Sequence, residues 1–417
     1  MNMSEISQLD TSFDPFWITD PTERYKDLAQ KFRPVFNTIS QNAAQRDQTH
    51  TLPTNEIEAL KKTGFAALRI PIEFSGSGAT IREFFALLIE LAEADSNIAQ
   101  AIRGHSAFVE DLYYLEDQDF VKRWRQRIGQ GITVGNAMAE IGAKAKQNSL
   151  LTQLIEKNGE LLLDGSKYYT TGSLYADWIE VSADNHLGEP TIALVPKSAE
   201  GVNVVDDWDG FGQTLTASGS SHFNQVKVDV ADTRPLSTRF GYATAFFQLY
   251  HLATIAGIAR ALTKDVAHLV KTRTRVYSHG AGASAAEDPQ ILQVVGAVRG
   301  AAYAASAIVM QVATTIEKAA ALALNGDAVA AERAFSEAEL ETAQAQTTVI
   351  DLVLDAATRA FDAVGASSTK RSTGLDRHWR NVRTIACHNP RVYKQRIVGD
   401  YAVNGTLPPF QWLVGEK

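Results

Sequence analysis

The chain has 417 residues, 45% hydrophobic and 9% aromatic, enough for a large core and for two or three domains. Charged residues make up 21%, the net charge of −8 is modest and no long basic run appears, which argues against nucleic acid or an anionic membrane surface as the main partner. The single cysteine, Cys387, excludes an internal disulfide and a cysteine-rich metal site.

The first residues, MNMSEISQLDTSFDPF, carry acids where a signal peptide needs a basic start and an apolar stretch. No run approaches the roughly 20 apolar residues that span a bilayer. A cytoplasmic protein is expected. From about Pro21 to Gln130 the pattern is helical; in REFFALLIELAEA, Phe84, Phe85, Leu87, Leu88, Leu91 and Ala92 form a broad stripe at 3.6 spacing. GFAALRIPIEFSGSG (Gly64 to Gly78) reads as a helix exit with Pro71 and a Gly/Ser-rich turn.

Between Gly131 and about Pro235 the character changes to strands. LLTQLIEK and ELLLDGSKYYTTG flank Asn158-Gly159, a strong hairpin signal, and WIEVSA, TIALVPK, VNVVDDW and SHFNQVKVDV follow. A compact antiparallel barrel or sandwich fits these runs. Beyond Phe240 the chain is alanine-rich and helical, with long helices expected over Ala243 to Thr274, Pro289 to Asn325, Ala328 to Val364 and about Asn389 to Tyr401. The expected architecture is α+β in three parts: an N-terminal helical domain (1–130), a middle antiparallel β-barrel (131–238) and a C-terminal four-helix bundle (239–417).

Several chemistries find no support. No Gly-x-Gly-x-x-Gly joins a strand to a helix, and GAGASAA (Gly280 to Ala286) reads as a linker, so no NAD(P)H-binding domain is expected. The nine histidines are dispersed without a His-Glu-x-x-His, and no Gly-x-Ser-x-Gly is present.

Four motifs in order, LKKTGFAALRIPIEFSGSG, LLLDGSKYYTTGSLYADWIEVSA, DGFGQTLTASGSSHFNQVKV and GLDRHWRNVRT, resemble the acyl-CoA dehydrogenase superfamily across about Pro53 to Pro408. Dehydrogenases of that family need a carboxylate to remove the proton alpha to a thioester. The matching stretch here is Val403-Asn404-Gly405-Thr406, with an amide where that carboxylate belongs, and the alternative position near Phe247 has none either. The chain is more similar to the family's two-component flavin monooxygenases, the dibenzothiophene monooxygenase-like branch. RHWRNVRTIACHNPRVYKQRIVGDYAVNGTLP, Val205-Asp206-Asp207-Trp208, Ala217-Ser218-Gly219-Ser220 and Gly135-Asn136-Ala137 carry that similarity.

The resemblance implies a monooxygenase that uses reduced FMN and O2, by way of a C4a-hydroperoxyflavin, to oxidise sulfur or nitrogen of a small apolar molecule. It places His388 and His105 at active-site histidine positions and Asn136 and Thr171 beside the flavin ring. A histidine suits the proton transfers, although one on a helix is more often a hydrogen-bonded structural residue. Arg275 matches an arginine that holds the flavin phosphate, with Ser218 and Ser220 as nearby donors and Trp208 as floor of the flavin or part of the core. Arg377 and Arg380 read as structural ion-pair formers. Ser367 and Ser368, in VGASSTKRSTG, stand where FAD-binding members have small glycines, so FMN is favoured and FAD is the alternative. The implied partners are a separate NAD(P)H:flavin reductase and three further copies of the chain in a homotetramer. Two other functions compete: an FAD-dependent acyl-CoA dehydrogenase, and a non-catalytic flavoprotein that binds a macromolecule through a basic C-terminal surface including Lys370, Arg371, Arg377, Arg380, Arg391 and Lys394.

Overall fold

The computed structural model describes residues 13–141 and 150–410; most of the acid-rich start, residues 1–12, lies outside them. The N-terminal part holds α1 (Glu23–Gln41), α2 (Ala43–Thr49), α3 (Thr54–Lys62), α4 (Ile81–Ala94), α5 (Ser96–Ala101), α6 (Arg103–Asp111) and α7 (Gln118–Gly129). Thr80 and Glu83 close a capping box at the start of α4. The stripe expected on α4 is buried, but so are Ala86, Ile89 and Glu90 outside it. Glu90 is tolerated there because Arg33 bonds it at 2.8 Å and Tyr25 donates to it.

The middle part holds β1 (Val134–Ala137), β2 (Gln153–Lys157), β3 (Glu160–Lys167), β4 (Trp178–Asp184), β5 (Pro190–Pro196), β6 (Val202–Val204), β7 (Ser221–Val228) and β8 (Thr233–Pro235). The Asn158-Gly159 hairpin forms as expected: both residues have positive φ (54° and 76°) and Lys157 pairs with Glu160. The barrel does not. The strands run β6-β7-β3-β2-β4-β5-β8 with β1 on β4, and among the described residues no ladder joins β6 to β8. β1 and β4 are also parallel, so the sheet is mixed. Both edges are three residues long, and Pro235 in β8 has no N–H to extend the ladder. The two halves meet through the single pair Gln153 and Asp184 and share an apolar interior that includes Leu163, Val181, Val195 and Phe223.

The C-terminal part holds α8 (Ala243–Thr272), α9 (Pro289–Leu324), α10 (Ala328–Val364), α11 (Asp376–Ala386) and α12 (Arg391–Asn404). The three long helices pack on one another, while α11 lies against α8 and α10 and α12 against α10. The expected bundle is therefore not self-contained, because α4 also packs along α8 and α9 and one core runs through both helical parts. Gly257 makes the α4–α8 approach, since a Cβ there would sit 2.4 Å from the Ala92 methyl and 2.6 Å from the Ile89 carbonyl. Contrary to expectation, α9 is long and apolar enough to cross a bilayer; here one side of it packs against α8 and α10. The basic C-terminal side chains are largely neutralised: Arg377 meets Asp265 at 2.5 Å, Arg380 meets Asp47 at 2.6 Å and Lys394 meets Glu339 at 2.5 Å.

His105 joins the first two parts. Its Nε2 donates to the Ala66 carbonyl at 2.8 Å, and its Nδ1 accepts from the Val134 amide at 3.1 Å. Both nitrogens are thus committed to backbone and the ring is neutral. Burial lowers its pKa to about 4, against the opposing pull of the Ala66 bond. The folded pKa lies below the unfolded value of 6.5, so the unfolded chain takes up the proton first. The stability held in this ring is complete above pH 6.5 and is lost as pH falls toward 4. His105→Ala is expected to cost about 3 kcal/mol in urea unfolding at pH 7, because two buried backbone groups lose their partner. His105→Gln should flatten the fall of stability across that pH interval by about one proton.

Candidate functional site

All three parts of the chain converge on a cavity of about 820 Å³, within the size range of cofactor and ligand pockets. Gln100, Arg103 and Gly104 line it from α5 and α6, and Asn136 from β1. Tyr169 and Thr171 follow β3, and Trp208 to Ser218 come from the loop before β7. Phe247, Gln248 and His251 face it from α8, and the turn after α11 adds Cys387 and His388.

Asn136 reaches the cavity because Gly104 is opposite: a Cβ on Gly104 would fall 2.4 Å from Asn136 Oδ1. That oxygen is buried and has no hydrogen-bond partner among the described residues, as a group meant for a ligand would. Thr171 precedes Gly172, whose φ of +79° and 1.8 Å approach of a built Cβ to the Ala101 carbonyl admit only glycine. The Thr171 hydroxyl meets Ser218 at 2.7 Å, Ser218 meets Thr216 at 2.7 Å, and Thr216 donates to the Gln213 carbonyl at 2.8 Å. Side chains from both helical parts fix this wall. Asn97 accepts from the Leu215 amide at 3.2 Å, Asn381 from the Gln213 amide at 2.6 Å, and Gln213 donates to Ser96 at 2.9 Å. Trp208 folds over Gly210 and donates to the Gly212 carbonyl at 3.2 Å.

Five of the residues expected from sequence, Asn136, Thr171, Trp208, Ser218 and His388, therefore line one cavity. The other three are elsewhere. His105 is held between Ala66 and Val134 as described. Ser220 gives both its hydroxyl and its amide to Asp207, at 2.7 Å each. Arg275 is exposed on the segment after α8.

The histidine that sequence reading missed is His251. Its ring lies 4.2 Å, centroid to centroid, from that of His388, and both of its nitrogens are buried without a hydrogen-bond partner. Burial, His388 and Arg103 hold His251 well below its ordinary pKa. The protein around His388 and the Arg103 guanidinium lower that ring's pKa as well. Both rings are neutral at pH 7, so each presents one N–H donor and one acceptor nitrogen. The spacing of Phe247, Gln248 and His251 on one helix face was the available signal. Among the described residues one carboxylate lines the cavity, Glu180, and it is occupied: Arg234 donates to it and Arg239 bonds it at 3.1 Å. Those guanidinium groups hold its carboxyl below the usual range against the effect of burial. Asn404 is far from this role, exposed at the end of α12 and bonded to Asp400 at 2.6 Å.

A neutral histidine pair, an unpartnered amide oxygen and a hydroxyl chain around a largely apolar hollow can hold a polarised heterocycle and pass a proton. They offer no free carboxylate base. Comparison with known proteins agrees. The acyl-CoA dehydrogenase N-terminal domain matches residues 22–131 and the acyl-CoA dehydrogenase C-terminal domain residues 249–390. The probable FMNH2-dependent monooxygenase SfnC of Pseudomonas putida is 28% identical over 386 residues, 90% of this chain and 94% of that protein. Dibenzothiophene monooxygenase of Rhodococcus erythropolis is 27% identical over 411 residues, 93% of this chain and 94% of that one. The structure of methanesulfinate monooxygenase MsuC from Pseudomonas fluorescens is similar with a TM-score of 0.81 at 26% identity, covering 94% of this chain and 99% of that one. The chain belongs to the acyl-CoA dehydrogenase family, and within it the sequence stands with flavin-dependent monooxygenases.

Proposed function

We propose that this protein is the oxygenase of a two-component system, taking reduced FMN from a separate NAD(P)H:flavin reductase and using O2 to oxidise sulfur or nitrogen of a small molecule. The observation that carries this reading is the cavity's acid–base inventory among the described residues: two neutral histidines, and a single carboxylate already tied to two arginines. A dehydrogenase needs a free base beside the substrate's alpha carbon. An oxygenase needs donors, proton transfer and exclusion of water.

Reduced FMN supplies two electrons, so that one atom of O2 enters the substrate and the other leaves as water. The chain's own residues do the rest. Asn136 and Thr171 would hold the flavin ring, Trp208 would cover it, and His388 with His251 would carry a proton toward the departing oxygen. FMN suits the chain better than FAD. Ser368, where FAD-binding relatives have a glycine, turns its hydroxyl back to the Gly365 carbonyl at 2.6 Å. We further infer a homotetramer in the cytoplasm, in which Arg275 reaches the flavin phosphate of a neighbouring subunit; its exposure after α8 supports this.

The test is oxygen labelling. With reductase, NADH, FMN and 18O2, sulfides or sulfinates should gain one labelled atom, while the pure protein consumes no NADH and acyl-CoA does not bleach bound flavin anaerobically. Bleaching by acyl-CoA would return the protein to the dehydrogenases. His388→Phe is expected to lower labelled product by about 100-fold, the usual scale for losing a proton-transfer group, with hydrogen peroxide rising in compensation. Arg275→Met should raise the FMN dissociation constant about tenfold, the loss of one charge-assisted contact. Light scattering that gives an active monomer would remove the shared phosphate site.

A further inference from the structure

Four arginines are at least nine-tenths buried among the described residues, and three have evident partners. Arg46 bonds Glu56 and Asp95 at 3.0 and 2.8 Å. Arg234 meets Asp111 and Glu180. Arg260 donates to Ser306 at 3.1 Å and to the Ile18 carbonyl at 2.6 Å. Among the described residues Arg103, 9% exposed, has neither a hydrogen bond nor an ion pair, and its Nε is buried and unpartnered. Its contact is the Phe247 ring, 5.4 Å away, which Arg239 approaches at 5.7 Å.

A buried guanidinium without a counter-charge is costly, and native proteins keep such groups where something else completes them. Arg103 lines the cavity beside Gln100, Gln248, His251 and His388. Among the described residues no acid in the cavity compensates it. Glu180 is already matched by Arg234 and Arg239, and the like-charged Arg239 repels Arg103. Three further polar atoms here, Gln100 Oε1 and both nitrogens of His251, also lack partners. One wall of a largely apolar hollow thus presents an uncompensated positive charge, with imidazole and amide groups around it.

We propose that Arg103 is the docking point for the acidic group of the substrate, so that this enzyme acts on small organic anions, such as sulfinates or carboxylate-bearing sulfur or nitrogen compounds, rather than on neutral apolar molecules. This rests on the monooxygenase reading for the reaction, but the binding itself does not depend on turnover. A planar guanidinium grips two oxygens of a sulfinate or carboxylate in parallel. Phe247 beneath it takes the apolar remainder. His251 is turned toward the same space, and the neutral amides of Gln100 and Gln248 complete the shell. An anion here neutralises the unpaired charge, whereas a neutral substrate leaves it buried and alone.

The test compares an inert anion with its neutral isostere on the full-length protein loaded with oxidised FMN. Benzenesulfonate and methyl phenyl sulfone have nearly the same shape and neither is oxidised, so calorimetric titration reads binding only. Wild type should prefer the sulfonate by on the order of 100-fold, the effect of one charge-assisted buried contact. Arg103→Met should abolish that preference without changing FMN affinity, and Arg103→Lys should restore part of it. Equal binding of the two ligands by wild type overturns the proposal, and needs no variant to fold. Loss of FMN from Arg103→Met, with the sulfonate preference intact, would also overturn it, assigning the charge to the flavin. If the sulfonate preference holds while no substrate gains labelled oxygen, the anion site stands and the monooxygenase reading fails.

Discussion

Helix α4 is packed on nearly all sides, by α1 from its own part of the chain and by α8 and α9 from the other end of the sequence. Phe84 and Phe85 meet Phe246 and Tyr250 of α8 ring against ring, with centroids 5.3 to 6.4 Å apart. Aromatic groups in such a cluster stabilise both by the large area they remove from water and by edge-to-face geometry. The same contact fixes where α8 begins relative to α5 and α6. Phe247, Gln248 and His251 then line the hollow together with Gln100, Arg103 and Gly104. The chemistry depends on this one interhelical fit.

Electrostatics then divides the interior into two kinds of place. Arg234, Arg239, Asp111 and Glu180 form a closed network with its charges matched. It is buried, and it ties β4 and β8 to α6 and to the approach of α8. The other charge, on Arg103, is left open to the cavity, beside His251, which burial keeps neutral. A matched network adds rigidity and no reactivity, whereas the unmatched side supplies donors and a field for a bound molecule.

How far the sequence disclosed this depended on the range of the interaction. Period and turn chemistry are local, so the hairpin at Asn158-Gly159 and the long helices were readable to within a few residues. Closure of the sheet is not local. It turns on whether two three-residue edges meet, and alternation within each strand is the same for open and closed sheets. Asn136, Thr171, Trp208, Ser218 and His388 were legible through motif resemblance. His105 was misplaced because a motif gives position without orientation: its ring faces backbone, while Arg103, two residues earlier, faces the cavity. Arg103 was missed because it lies in a small-residue helical run where no spacing marks chemistry, and His251 because the face it shares with Phe247 and Gln248 reads equally well as core.

The wall that carries Trp208, Thr216 and Ser218 lies between β6 and β7 in sequence, and the segment after β3 secures only part of it. Its amides at Gln213 and Leu215 are held by Asn381 from the last third of the chain and Asn97 from the first quarter. α4 and α8 share one core as well, so the packing crosses the boundaries seen along the sequence. Excising any of the three parts would strip buried amides and apolar surface from the other two and would remove a wall of the pocket.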